Sequence, residues 1–447
     1  MQFATPARRN PIDQLKVVGH PVIRIDGPLK VTGTAPYAYE RHNVVANQAY
    51  GYVVGAAIAK GRIVRIDTAA AKAAPGVVTV ITTLKYEPVA TPPFRQTANL
   101  FGGAEVAHYH QAIALVVAET FEEARAAAHL VKVDYEAAPG QYDLAAVAPD
   151  APPSADPNEG ENAEVFDRVG DFDAAFAAAP VKLDETYTTP NETHAMMEPH
   201  ASIAAWDGDK VTVWTSQQMV NWAKAALAQT LGIPAEKVRV DSPFIGGGFG
   251  GKLYLRADAL LAALGAKAAG RPVKVTFHRP LIINNGTHRA ATIQRIRLGA
   301  TPDGRLTAIG HMSVSGNLPG GMPEAGTAPT KLFYAAPNRE IYLKLATLDF
   351  GEANDMRAPG EAPGLMALEM AMDEMAEKLG IDPVEFRILN DTQTDPHNSK
   401  RRFSERHLVE CLRTGAEQFG WLAATRRRER CAMASGSSAW GWPLASA

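Results

Sequence analysis

Five of the six residues from Gly246 to Gly251 are glycine, within the run Ser242-Pro243-Phe244-Ile245-Gly246-Gly247-Gly248-Phe249-Gly250-Gly251-Lys252. Glycine has no Cβ, so such a loop can turn through positive φ and can let a ligand approach the backbone closely. The run follows the strand-like Val238-Arg239-Val240 and precedes Leu253 to Ala269, whose Leu255, Leu260, Leu261 and Leu264 read as a helix. Strand, bare loop and helix N-terminus together suit an anionic ligand, because the first N–H groups of a helix have no partner of their own. A tight connection in a large α/β protein is the ordinary alternative.

Two nucleotide-binding patterns overlie the loop. Gly246, Gly248 and Gly251 satisfy G-x-G-x-x-G, but a dinucleotide site expects an acidic residue about 20 residues further on. Gly270-Arg271-Pro272 stands there instead. Gly246 to Lys252 also fits the start of a P-loop, whose next residue should bring a hydroxyl to Mg²⁺; that residue is Leu253.

With 447 residues, the chain has room for about three domains of about 150 residues. Its 46% hydrophobic and 21% charged residues are those of an ordinary globular protein. A net charge of −3 gives no reason to expect nucleic acid or an anionic membrane as partner. No apolar run approaches the roughly 20 residues that span a bilayer. Arg8-Arg9 is followed by the polar Asn10-Pro11-Ile12-Asp13-Gln14 rather than by the apolar core of an export signal, so residues 1–17 read as a flexible lead-in. The two cysteines, Cys411 and Cys431, cannot supply the four thiolates of an ordinary iron–sulfur cluster or a disulfide framework.

Residues 18–137 read as a compact α+β unit. Its buried strands are Gly51 to Ile58, Gly76 to Ile81 and Ile113 to Ala118, Thr120 with Glu123 forms a capping-box pattern before a helix through Leu130, and a final strand from Val131 to Tyr135 closes the unit. The Pro- and Ala-rich stretch 138–162, with Ala151-Pro152-Pro153-Ser154-Ala155-Asp156-Pro157, reads as a linker. A second unit spans 163–395. It holds a hairpin turning at Asp207-Gly208-Asp209, a helix from Asn221 to Leu231, a strand from Val273 to Phe277 and a hairpin from Thr292 to Met312. Gly316 to Thr330 reads as irregular, and Leu365 to Leu379 as a helix whose Met372 and Met375 are core. After Trp421 no amphipathic period survives, so 422–447 read as a disordered or frame-shifted tail.

His194-Ala195-Met196-Met197-Glu198-Pro199-His200 gathers two imidazoles and a carboxylate, but its spacing is no compact zinc motif, and structural roles are the commoner outcome. Gln217-Gln218 end a strand that should pass near the glycine loop, where a side-chain amide could donate to an oxo or phosphate oxygen, although backbone hydrogen bonds are the commoner role of a loop glutamine. Arg357, ahead of Ala358-Pro359-Gly360, could clamp an anion; an ion pair with Glu352, Asp355 or Glu361 is the plainer reading. No Gly-x-Ser-x-Gly elbow or activated cysteine is evident.

Taken in order, several motifs resemble the molybdenum-binding large subunit of the xanthine dehydrogenase/aldehyde oxidase family, most of all bacterial aldehyde oxidoreductases made of three chains. They are Arg24-Ile25-Asp26 with Lys30-Val31-Thr32-Gly33, Ala74-Pro75-Gly76-Val77, Val116-Val117-Ala118-Glu119-Thr120 and Met197-Glu198-Pro199-His200. Gly247-Gly248-Phe249-Gly250-Gly251-Lys252, Gly270-Arg271-Pro272-Val273-Lys274 and Met356-Arg357-Ala358-Pro359-Gly360-Glu361 complete the series. The resemblance implies an α+β fold: an a/b hammerhead domain over 18–137, a first molybdopterin-binding domain over 163–395 and the start of a second over 396–421. It also implies molybdopterin, in its cytosine dinucleotide form, carrying molybdenum. Gln218, Gly247, Gly248, Phe249, Gly250 and Arg357 are then the cofactor-binding residues, and no side chain of this chain ligates the metal.

The family oxidises aldehydes or heterocycles with oxygen from water and passes electrons to [2Fe–2S] and FAD centres, which the resemblance places on partner subunits. Its catalytic glutamate lies in a Gly-Val-Gly-Glu-like motif absent from these 447 residues. The resemblance therefore implies a chain truncated at its C-terminal end and inactive alone, with the catalytic residue unknown. Leu253 stands where purine-oxidising members carry a glutamate, which favours an aldehyde substrate. A P-loop-like nucleotide-binding protein and a noncatalytic subunit remain the alternatives, and the compartment is the cytoplasm, or the periplasm for a chain exported with a signal-bearing partner.

Overall fold

A computed structural model describes residues 17, 19–42, 44–88, 95–156, 165–398 and 400–421, with the short pairs 432–433 and 436–437. The lead-in up to residue 16, the end of the linker at 157–162 and nearly all of the tail lie outside the described residues.

Seven strands form one sheet in the order Val238–Asp241, Lys210–Trp214, Ala201–Asp207, Val273–Thr276, Ala49–Gly55, Ala112–Ala118, Val77–Thr82. Its strands come from both sides of the 138–162 segment. They join where Ala49–Gly55 runs parallel to Val273–Thr276, with Ala49 opposite Val273 and Gly51 opposite Val275. A Cβ on Gly51 would meet the side chains of Leu115 and Val275 at 2.9 Å, so glycine lets the strands pack closely here without those side chains shifting. The unbroken apolar run Ala112–Ala118 is buried at every position, as a strand covered on both faces requires. The Ala257–Ala269 helix packs on this sheet and is buried almost all round, with Gly265 against Leu115.

A second sheet carries Asn338–Thr347, Leu306–Asn317, Thr292–Ala300 and Val181–Thr189 side by side. The Glu361–Leu379 helix lies on it, and its Leu368, Met372 and Met375 are fully buried in the core, matching the methionine reading. This helix starts four residues earlier than the periodicity from Leu365 suggests, because Pro363 is tolerated in a first turn, where its missing N–H has no intrahelical partner. The 138–162 segment is more than a tether. Its Leu144–Val147 helix buries Leu144 beside Val314 and Leu348, and Pro153–Ser154 pairs with Leu343 and Lys344 at the edge of the second sheet.

Candidate cofactor site

The site forms where one loop from each sheet layer meets the other. The glycine loop leaves the edge strand Val238–Asp241. The helix after it begins only at Ala257, later than the Leu253 start read from sequence, so the glycine loop does not lead directly into its first turn. Lys252 and Arg256 are both turned inward onto buried carboxylates, Glu198 and Glu352, each at 2.8 Å, and the backbone between them stays irregular.

The loop's missing side chains face the protein rather than a ligand. A Cβ on Gly246 would run into Glu198, on Gly248 into Gln218, on Gly250 into the Asp355 carbonyl and on Gly251 into Met196 and His194. Glycine is needed so that the loop lies flat on these residues, which leaves its outer backbone bare. Gly247 has φ 95°, Phe249 φ 53° and Gly250 φ 104°, while Gly248 between them keeps negative φ. Successive amides of alternating hand form a concavity of N–H groups that favours anions. Among the described residues, the N–H groups of Gly247, Gly248 and Phe249 donate to nothing. The Gly250 N–H is already spent on Gln218 Oε1 at 3.0 Å, and the Lys252 N–H reaches the same oxygen at 3.2 Å. Gln218 is exposed, and with its carbonyl held by the loop its Nε2 remains a free donor.

The second loop, Asp355 to Gly360, docks through the Arg357 N–H, which donates to Phe249 O at 2.9 Å. Ala358 takes φ 59°. Arg289, buried, holds this turn by donating to Arg357 O at 2.5 Å and Ala358 O at 3.1 Å, and Glu324 accepts from the Gly360 N–H at 2.5 Å. The Arg357 side chain is exposed and, among the described residues, forms none of the ion pairs considered for it. Glu352 is taken by Arg256, and Asp355 accepts from the Tyr254 hydroxyl at 2.7 Å. Gln218, Gly247 to Gly250 and Arg357 thus come together on one surface that offers N–H donors and a guanidinium.

The His194–His200 cluster lies beneath and holds the loops. Both ring nitrogens of His194 face carbonyls, Thr287 O at 3.1 Å and Asp355 O at 2.9 Å, and His200 Nε2 faces Gly251 O at 3.1 Å. Burial pushes His200 down to about 3, with Lys252 adding to the shift. Burial pushes the Glu198 carboxyl up, but the Lys252 ammonium, the Ser216 hydroxyl and the Gly246 N–H outweigh it and hold the group below the usual carboxylate range. Burial also draws the Lys252 ammonium down, opposed by Glu198. With Glu198 ionised and three oxygens around its Nζ, Lys252 is the cation of the pair.

Lys252 decides the P-loop reading. A P-loop lysine must reach phosphates, whereas this one is fully buried and donates to Glu198 O, Glu198 Oε2 and Ser216 Oγ at 3.0, 2.8 and 3.1 Å. None of its three N–H donors is left for a nucleotide. Sequence reasoning missed Arg289 and Glu324. Neither stands in a recognisable motif, and Glu324 lies in the stretch read as irregular.

A surface rich in N–H and guanidinium donors fits an anionic ligand with many acceptor atoms, as a molybdopterin with its phosphate and pterin edge is. Comparison with known proteins agrees. The model of the molybdopterin cofactor-binding domain matches residues 155–391, and that of the aldehyde oxidase and xanthine dehydrogenase a/b hammerhead domain matches residues 33–139. The chain is 60% identical over 423 residues to the aldehyde oxidoreductase molybdenum-binding subunit PaoC of Escherichia coli (strain K12), covering 94% of this chain and 57% of PaoC. It is 31% identical over 445 residues to the putative xanthine dehydrogenase molybdenum-binding subunit XdhA of the same strain, covering 92% of this chain and 56% of XdhA. Among solved structures, the aldehyde oxidoreductase from Desulfovibrio gigas shares the fold, with a TM-score of 0.76 and 24% identity over 89% of this chain and 46% of that one. The chain spans little more than half the length of PaoC and XdhA. It belongs to the xanthine dehydrogenase/aldehyde oxidase family of molybdopterin-binding large subunits.

Proposed function

We propose that the chain binds molybdopterin, in its cytosine dinucleotide form, across the two loops and acts in an aldehyde oxidoreductase that converts aldehydes to carboxylic acids. The observation that carries this is the convergence of three unengaged loop N–H groups, Gln218 Nε2 and the Arg357 guanidinium on one surface. The N–H groups of Gly247, Gly248 and Phe249 would hold acceptor atoms of the pterin. Gln218 would donate to an oxygen at the metal end, and Arg357 would hold an anionic oxygen. Gly250 would serve by closing the loop onto Gln218 and Asp355. When bound, the molybdenum group supplies the two-electron oxidation chemistry.

The residue that moves the substrate proton is not assigned within these 447 residues. Two cysteines within these 447 residues cannot hold a [2Fe–2S] centre between them, and we assign that centre and FAD to partner subunits. Leu253, half-buried beside the loop, offers no carboxylate to a purine and suits an aldehyde. Among the described residues no helix is long and apolar enough to cross a membrane; cell fractionation separates the cytoplasm from export with a partner.

The test is to produce the chain with its partner subunits in a host that makes the cofactor. Metal analysis should find stoichiometric molybdenum with cytosine-bearing pterin, and aromatic and aliphatic aldehydes should be oxidised. Mg²⁺-dependent nucleotide binding by a molybdenum-free protein would overturn the reading.

A further inference from the structure

Gly246 and Lys252, the two ends of the glycine loop, meet at a single carboxylate oxygen. Glu198 Oε2 accepts from the Gly246 N–H at 2.7 Å, from Ser216 Oγ at 2.6 Å and from Lys252 Nζ at 2.8 Å. Lys252 Nζ also donates to Glu198 O and to Ser216 Oγ. The Glu198 N–H returns a bond to Gly246 O at 3.0 Å, closing the ring on its backbone side. Lys252 is fully buried and Glu198 nearly so.

A buried ion pair contributes little net stability compared with a well-packed apolar pair, since desolvation cancels most of its attraction. An apolar contact at this place would pack equally well but could not draw both ends of a flexible glycine loop to one point. We propose that Glu198, Lys252 and Ser216 are positioning residues that staple the loop shut, setting the presentation of the Gly247, Gly248 and Phe249 N–H groups and so the retention of the cofactor. This inference rests on the reading of the loop as the molybdopterin cradle. It assigns to the family-like Met197-Glu198-Pro199-His200 segment a role in shaping the cradle from below, without contact to the ligand.

The test compares the wild-type complex with the double substitution E198Q/K252M, which removes both charges and leaves neither one unpaired, and with S216A. Molybdenum and pterin per chain, melting temperature and hydrogen exchange at the Gly246 and Gly250 amides, which donate to Glu198 Oε2 and Gln218 Oε1, are measured on each. The double variant should keep its melting temperature within a few degrees, exchange faster at these amides and hold about tenfold less molybdenum, at the low end for losing an outer-shell partner. S216A should move exchange and metal content the same way by less. A folded double variant with wild-type exchange and molybdenum overturns the staple. Should the double variant not fold, S216A decides: unchanged exchange at Gly246 and Gly250 overturns the proposal and faster exchange supports it. Wild-type protein without molybdenum overturns the cofactor reading alone, because amide exchange still reports whether the staple shapes the loop.

Discussion

Phe249 and Ala358 both hold φ values that residues with a side chain avoid, 53° and 59°. Each costs about 1–2 kcal/mol, and such strain persists only where the surroundings over-determine the backbone. Here they do. The Gly250 and Lys252 amides are fixed on Gln218, the Arg357 and Ala358 carbonyls on Arg289, and the Gly360 amide on Glu324. The N–H of Arg357, the residue before Ala358, donates to Phe249 O, so distortion in one loop is felt in the other. Gly250→Ala tests this coupling. At φ 104° with the Asp355 carbonyl in the way, the methyl group must push the loops apart. We expect a loss of about 1–3 kcal/mol in urea unfolding, the range for backbone strain of this kind, together with lost molybdenum. Wild-type stability and metal content in this variant would show that the contact is not needed. The glycine run itself was legible from sequence; the direction in which its absent Cβ atoms point was not, because that depends on Glu198, Gln218 and Asp355, which are distant in the chain.

Most elements were legible because their signals are local. The Ala201–Asp207 and Lys210–Trp214 hairpin turns at Gly208, with φ 57°, where the Asp-Gly signal put it. The Val220–Leu231 helix ends in a left-handed Gly232, and Asp382 caps the Pro383–Leu389 helix. The Thr120–Glu123 capping box is complete, with Thr120 Oγ1 accepting from the Glu123 N–H at 3.2 Å and the Thr120 N–H returning to Glu123 Oε2 at 3.1 Å. Thr120→Ala should therefore lower stability by about 1 kcal/mol, seen as a lower denaturant midpoint at unchanged slope; an unmoved midpoint would mean that tertiary contacts alone hold the Phe121–Ala128 helix. The helix after the glycine loop was misread at its start for a physical reason. The apolar spacing of Leu255 and Leu260 continues through a segment whose buried charges, Lys252 and Arg256, are drawn to carboxylates elsewhere in the chain.

On the scale of the whole molecule, buried neutral histidines make the fold acid-sensitive. Burial holds His200 and His311 at about 3 and His288 at about 4. An unfolded histidine binds its proton near pH 6.5. Between these values the unfolded chain takes up protons that the folded chain refuses, so stability is greatest above pH 6.5 and falls as the pH drops. Each histidine should remove about 1 kcal/mol between pH 6.5 and 5.5, with His311→Gln deleting its share of the slope. Asp258 and Glu324, both raised by burial, act in the opposite sense and soften the decline nearer their own range. Urea midpoints that stay level from pH 7.5 to 5.5 would refute this account.

What the sequence determined by itself was everything carried by short-range pattern: strands, turns, caps, the bare loop, and the ordered motifs that mark the family. Only the tertiary structure decided that strands on both sides of the 138–162 segment share one sheet. It alone turned Lys252 inward, away from any phosphate, and set Arg357 beside Phe249. Hydrogen bonds and buried ion pairs between residues far apart in the chain settle these points, and such pairings leave no period or spacing in the residues between them.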